Sequence, residues 1–111
     1  MSELINLVKI SLQNNLKLTD EGLQALNQLR HLKSVNLARV NISDKGLNFI
    51  QYNPHLNWLN ISETKVTDES VKYLITLKLL KNLYLRDSSF TNDGIEEIRN
   101  MFKEWDPIKF D

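Results

Sequence analysis

A period of 24 residues constrains this chain more than any other feature. The apolar triplet Leu7, Ile10, Leu12 recurs as Leu32, Val35, Leu37, then as Leu56, Leu59, Ile61 and as Leu80, Leu83, Leu85, at offsets of 25, 24 and 24. A second set keeps step with it: Leu18-Thr19-Asp20, Ile42-Ser43-Asp44, Val66-Thr67-Asp68 and Phe90-Thr91-Asn92 follow one another at 24 residues. The one additional residue therefore lies between Leu12 and Leu18. Four units tile the sequence, at about residues 7–31, 32–55, 56–79 and 80–101. Leucine supplies 19 of the 111 residues and recurs instead of clustering, which makes repetition the first thing to explain.

Each unit contains two periodicities. Apolar residues two apart, such as Val35 and Leu37 or Leu59 and Ile61, point to one side of an extended strand. Residues three apart, such as Leu23, Leu26 and Leu29 or Val71, Leu74 and Leu77, form one stripe of a helix. Thr19, Ser43, Thr67 and Thr91 stand where the helices begin, with hydroxyls able to accept from an unpaired backbone N–H. Asp20, Asp44 and Asp68 follow, placing negative charge at the positive end of each helix dipole. All three glycines, Gly22, Gly46 and Gly94, share one repeat position, with Ser70 in the remaining unit. Glycine inside a helix costs about 0.5–1 kcal/mol relative to alanine, so its recurrence predicts a close approach of neighbouring coils there.

A strand–helix unit of this length cannot bury both of its apolar faces alone, so the units must stack, strands pairing in parallel and helices lying outside. The expected fold is an α/β right-handed solenoid. The segments LKSVNLARVNISDKGL at 32–47 and LNWLNISETKVTDESV at 56–71 resemble leucine-rich repeats, of the kind with a Thr-Asp-x-Gly-Leu helix start. That kind is similar to the cysteine-containing subclass of F-box-associated receptors and to 24-residue bacterial versions. The resemblance covers about residues 7–101 and implies a horseshoe with a parallel sheet on its concave side and helices on its convex side. The family usually carries Asn or Cys at the ninth repeat position, bonding backbone across coils, where this chain has Asn15, Val40, Thr64 and Ser88. Val40 has no group for such a bond.

Met1, Leu4 and Leu7 align with Leu26, Leu29 and Leu32, so the chain is expected to begin inside the helix of an earlier unit, without an amino-terminal cap. An open solenoid end exposes apolar surface and an unpaired strand, which favours association. After Met101 the repeat register is expected to be lost. Residues 102–111, with Phe102, Trp105, Pro107, Ile108 and Phe110, read as a cap that closes a single domain of residues 1–111.

On the concave face the outward strand residues are Lys9, Ser11 and Gln13; Ser34, Asn36 and Ala38; Trp58, Asn60 and Ser62; and Asn82, Tyr84 and Arg86. Asn14, Arg39, Glu63 and Asp87 lie at the strand exits. Trp58 and Tyr84, offset by two residues on adjacent strands, are expected about 8 Å apart diagonally and, with Arg86, to form an aromatic and arginine cluster. Trp, Tyr and Arg dominate the energy of protein interfaces. The predicted partner-binding residues are thus Trp58, Tyr84, Arg86, Asn60, Asn36, Arg39 and Glu63, and the expected ligand is a protein.

Other classes are disfavoured. With 14 basic and 14 acidic residues, the chain has no bulk electrostatic reason to bind nucleic acid or an anionic membrane. No apolar run has the roughly 18 residues of a membrane helix. The absence of cysteine excludes disulfides, a thiol nucleophile and thiolate zinc. The opening Met1 to Asn6 lacks the basic start and apolar core of a secretory signal, so a cytoplasmic location is expected. His31 and His55 share a repeat position just before a strand, but Leu79 follows them and no third ligand recurs, so no metal is assigned. The row Asp20, Asp44, Asp68 is explained by helix dipoles without calcium. The sequons at Asn41 and Asn60 matter only in a secreted protein. Without a Gly-x-Ser-x-Gly elbow or a glycine-rich phosphate loop, neither catalysis nor a cofactor is expected.

The leading expectation is a non-catalytic protein-interaction module. The resemblance implies a substrate-recognition or effector part of a larger assembly, with any F-box supplied elsewhere. The alternative is an assembly subunit that associates through its open ends, using Leu4 and Leu7.

Overall fold

Each unit contributes a strand of only three residues, and the spacing of the units fixes how the strands pair. In a computed structural model, which describes residues 8–110, the strands are β1 Lys9–Ser11, β2 Ser34–Asn36, β3 Trp58–Asn60, β4 Asn82–Tyr84 and β5 Ile108–Lys109. They form one parallel sheet in chain order. Ile10 pairs with Val35, Val35 with Leu59 and Leu59 with Leu83, so the constant spacing stacks the middle residue of every strand in register. Those middle residues point inward, and Val35, Leu59 and Leu83 are fully buried. No helix among the described residues is long and apolar enough to cross a membrane.

The return segments are tighter than the expected helices. α1 Asp20–Leu23 runs into a 3-10 turn at Gln24–Gln28, and α2 Asp44–Leu47 into one at Asn48–Tyr52. In the third unit a 3-10 turn at Asp68–Ser70 precedes α3 Val71–Leu74; among the described residues only α4 Asn92–Met101 is a longer α-helix. A 3-10 helix has 3.0 residues per turn and rises about 2.0 Å per residue against 1.5 Å in an α-helix. It carries a stripe of apolar residues three apart on one face and covers more length with few residues. Leu23 and Leu26, and Leu47 and Ile50, are buried on such stripes against Leu32, Leu56 and Leu80 at the strand entries.

The carboxylates at the helix starts bind the next coil. Asp20 accepts from the Ser43 backbone N–H at 2.9 Å and from its hydroxyl at 2.6 Å. Asp44 accepts from the Thr67 N–H at 2.8 Å, the Thr67 hydroxyl at 2.6 Å and the Ser70 hydroxyl at 2.6 Å. Asp68 accepts from the Thr91 N–H at 2.9 Å and from its hydroxyl. These are charge-assisted bonds, stronger than neutral ones. The row read as helix-dipole partners is therefore also a ladder across coils. The predicted hydroxyl caps form at Thr67, which accepts from Glu69 N, and at Thr91, which accepts from Gly94 N, but not at Thr19 or Ser43.

The ladder accounts for the glycines. A Cβ on Gly46 would lie 2.9 Å from Asp20 Cγ and 3.1 Å from its Cα, and one on Gly94 would lie 2.5 Å from Asp68 Cγ. Ser70, at the same repeat position, turns its hydroxyl onto Asp44. The ninth position makes no comparable bond at its two central members: Val40 is buried, and the Thr64 hydroxyl donates to Ile61 O of its own coil at 2.7 Å.

The exits of β1 to β4 each turn through a left-handed residue that is not glycine: Asn14, Arg39, Glu63 and Asp87 have φ of 64°, 61°, 56° and 53°. This conformation costs roughly 1–2 kcal/mol per residue. The corner is held across coils, Arg39 N donating to Ser62 O at 3.0 Å and Glu63 N to Arg86 O at 2.8 Å.

The carboxyl-terminal segment differs from expectation. The register does not end at Met101 but resumes one residue late, with Leu83 paired to Ile108 and Tyr84 to Lys109. Trp105 and Phe110 then fall 25 residues after Leu80 and Leu85, at the apolar positions of a further coil. Trp105 Nε1 donates to Leu80 O at 2.7 Å, and its ring packs on Phe102 with centroids 5.9 Å apart. Trp105→Phe keeps an aromatic ring, smaller than the indole, but leaves this carbonyl without its donor. We expect it to lower stability by about 1 kcal/mol, read as a lower midpoint in thermal unfolding followed by circular dichroism. The amino-terminal positions Met1, Leu4 and Leu7 lie outside the described residues.

Candidate partner-binding face of the sheet

Alternation sends the first and third residues of β1 to β4, and Lys109 of β5, outward, and parallel pairing arranges them in rows. One row is Lys9, Ser34, Trp58 and Asn82; the other is Ser11, Asn36, Asn60, Tyr84 and Lys109. Trp58 and Tyr84 are diagonal neighbours in adjacent rows. Their ring centroids are 5.2 Å apart with planes at 46°, nearer than the 8 Å expected from backbone spacing because the rings lean together. Such tilted pairs contribute about 0.5–1.5 kcal/mol beyond area burial, so both rings are pre-positioned.

The asparagines beside them are pinned. Asn36 Oδ1 accepts from Ala38 N at 3.1 Å and Asn60 Oδ1 accepts from Ser62 N at 3.0 Å, which turns each Nδ2 outward. Asn36 Nδ2 donates to Gln13 Oε1 at 3.1 Å. The same bonds draw the strand ends inward: Ala38 and Ser62, expected on the face, are 4% and 7% exposed. The Ser62 hydroxyl accepts from Arg86 N at 3.1 Å.

Arg39 and Glu63 form an ion pair at 2.8 Å along the row of left-handed corners. Both are well exposed, and pairs of this kind contribute about 0–1 kcal/mol. Arg86 departs from the predicted cluster. Its Nε lies 3.6 Å from Asp87 Oδ2, so the guanidinium is drawn to the corner carboxylate.

Next to Trp58, away from Tyr84, lies an open depression of about 510 Å³ lined by Lys9, Ile10, Ser11, Ser34, Asn36 and Trp58. The small side chain of Ser34 between Lys9 and Trp58 makes it, a consequence of register that sequence reading missed although both flanking residues were named. His31 and His55 come together elsewhere, with Val8 and Lys33, around an open depression of about 470 Å³ at the strand entries. Among the described residues no group of three His, Cys, Asp or Glu is placed to hold a metal ion.

Comparison with known proteins agrees with this architecture. The family described as Leucine Rich repeat matches residues 28–50 and 52–74, the two central coils. The solved structure titled Leiomodin-1 Actin-Binding Site 2 (ABS2) is similar, with a TM-score of 0.69 and 17% identity over 94% of this chain and 70% of that chain. At that identity the likeness is one of fold. No curated protein matches the sequence.

Proposed function

We infer that the chain is a leucine-rich repeat protein that binds a partner protein on the outward face of its sheet and performs no chemistry of its own. The observation that carries this reading is the pre-positioned Trp58–Tyr84 pair, flanked by pinned Asn36 and Asn60 on a rigid parallel sheet. A preformed surface of this kind loses little entropy on binding, and aromatic anchors ringed by polar groups are where interface energy concentrates. The repeats, and a similarly folded domain whose title names an actin-binding site, support a protein-binding role.

In this reading the coils wind right-handed, as parallel β crossovers do, and the sheet lines the concave side. Residues 1–111 act as one domain in the cytoplasm, as a 24-residue Thr-Asp-x-Gly-Leu array serving a larger recognition assembly. Arg39, Glu63 and Arg86 form the polar rim.

The test uses the folded chain as bait in lysate of its source cells, beside a Trp58→Ala/Tyr84→Ala variant with native circular dichroism. A partner retained by the wild type and bound at least about tenfold more weakly by the variant is the expected result. Equal capture by both would sink the reading. A second reading, association of copies through the ends, is favoured by the exposure of Met101 and Phe110 on the last coil. It requires a native mass that rises with concentration.

A further inference from the structure

We propose that the sheet face takes an extended acidic segment of its partner, seating one aromatic or branched apolar side chain beside Trp58 with carboxylates to either side; this rests on the sheet-face reading above. The five strands carry only two charged residues, Lys9 and Lys109, both cationic and on opposite outer strands. The chain has formal net charge +0, so this positive character is local. The acids bordering the face, Glu63 and Asp87, are already paired, with Arg39 at 2.8 Å and Arg86 at 3.6 Å. Neither neutralises the strand cations.

The shape agrees with the charge. Strands lie about 4.8 Å apart, so the backbones of Lys9 and Trp58, separated by Ser34, stand roughly 10 Å apart. That gap is one side chain wide, and the 510 Å³ depression occupies it. An apolar group entering there meets the indole on one wall, while the Lys9 ammonium faces whatever follows it along the segment.

The hydrogen-bonding inventory points the same way. Asn60 Oδ1 is used by Ser62 N, and its Nδ2 has no protein partner among the described residues. Asn60 Nδ2 and the two ammonium groups can only donate, while the outward hydroxyls of Ser11, Ser34 and Tyr84 and the Asn82 amide can donate as well as accept. Carboxylates and the carbonyls of an extended chain supply acceptors for them. A polyphosphate backbone is a poorer match, because nucleic-acid binding draws on many cations and the strands hold two.

The experiment selects short random peptides displayed on phage against the intact chain. In parallel it uses Trp58→Ala, Lys9→Glu/Lys109→Glu and, in case the reversed charges disturb folding, Lys9→Gln/Lys109→Gln, each checked by circular dichroism. The expected result is enrichment of Asp and Glu around an aromatic residue. A selected synthetic peptide should bind the charge variants about tenfold more weakly, lose affinity as salt rises, and shift the amide resonances of Ser34 and Asn60. Basic or uncharged peptides that still need Trp58 would overturn the acidic partner and leave the sheet-face reading standing. Peptides indifferent to Trp58→Ala would overturn both. Failure to enrich any peptide would overturn recognition of a linear segment while leaving a folded partner to the lysate test.

Discussion

Asp44→Ala is expected to lower the free energy of unfolding by about 3 kcal/mol, measured by urea denaturation with circular dichroism. The size of the loss separates two explanations for the same residue. A carboxylate that only faced a helix dipole would contribute about 0.3–1 kcal/mol. Asp44 also accepts three hydrogen bonds from the next coil, from Thr67 N, Thr67 Oγ1 and the buried Ser70 Oγ, and its removal leaves three donors without their charged partner. Asp20 and Asp68 accept two such bonds each, so their alanine variants should lose less, about 2 kcal/mol. Asp44→Asn retains an acceptor for the Thr67 N–H and should fall between wild type and Asp44→Ala. A loss below about 1 kcal/mol for Asp44→Ala would return the row to the dipole alone.

Gly46→Leu is expected to destabilise the fold by about 3 kcal/mol, in opposition to helix propensity, which favours leucine over glycine by roughly 0.8 kcal/mol. The first atom added, Cβ, meets Asp20 at Cγ and at the Cα of its backbone, and a larger side chain must separate the coils or expel the carboxylate from Ser43. Gly46→Ser should be milder than Gly46→Ala, because a hydroxyl can donate to the carboxylate that it crowds, as Ser70 does to Asp44. Gly22 provides the control. Among the described residues a Cβ there would meet only the flexible end of Leu18, at 2.8 Å, so Gly22→Ala should be tolerated. Thermal midpoints in the order wild type, Gly46→Ser, Gly46→Ala, Gly46→Leu support the close-approach argument; an unchanged midpoint for Gly46→Leu would end it.

The features legible in the sequence were those written once per unit. Apolar residues two apart marked the strands, and the stepping of Val35, Leu59 and Leu83 marked their register. Shared glycine positions marked a close approach, although not which atoms approach. The mixture of α and 3-10 turns was not legible, because an apolar spacing of three is shared by an α stripe and a 3-10 face, and only the length available for the return decides between them. The last strand was missed because a single inserted residue shifts Trp105, Ile108 and Phe110 out of the 24-residue count, and two of the three are aromatic where leucine is expected. At the face, Trp58 and Tyr84 were found because alternation fixes which side a residue takes. The direction of Arg86 was not legible, since a flexible side chain goes to the nearest charge, and Asp87 occupies a left-handed corner that Arg39 and Glu63 do not advertise by residue type.

The ladder carries a rule for how such a chain can lengthen. Each coil brings its own acceptor at the helix start and its own hydroxyl donor one residue before it, so each coil is both lock and key for its neighbours. A tandem copy of residues 44–67 would enter with an aspartate ready for the following threonine and would disturb no existing pairing. An insertion of another length, if it did not loop out, would face the carboxylate whose bond spans it with the wrong side chain. Growth by whole coils therefore preserves every bond, and the ladder acts as a proofreading gauge on the size of the step.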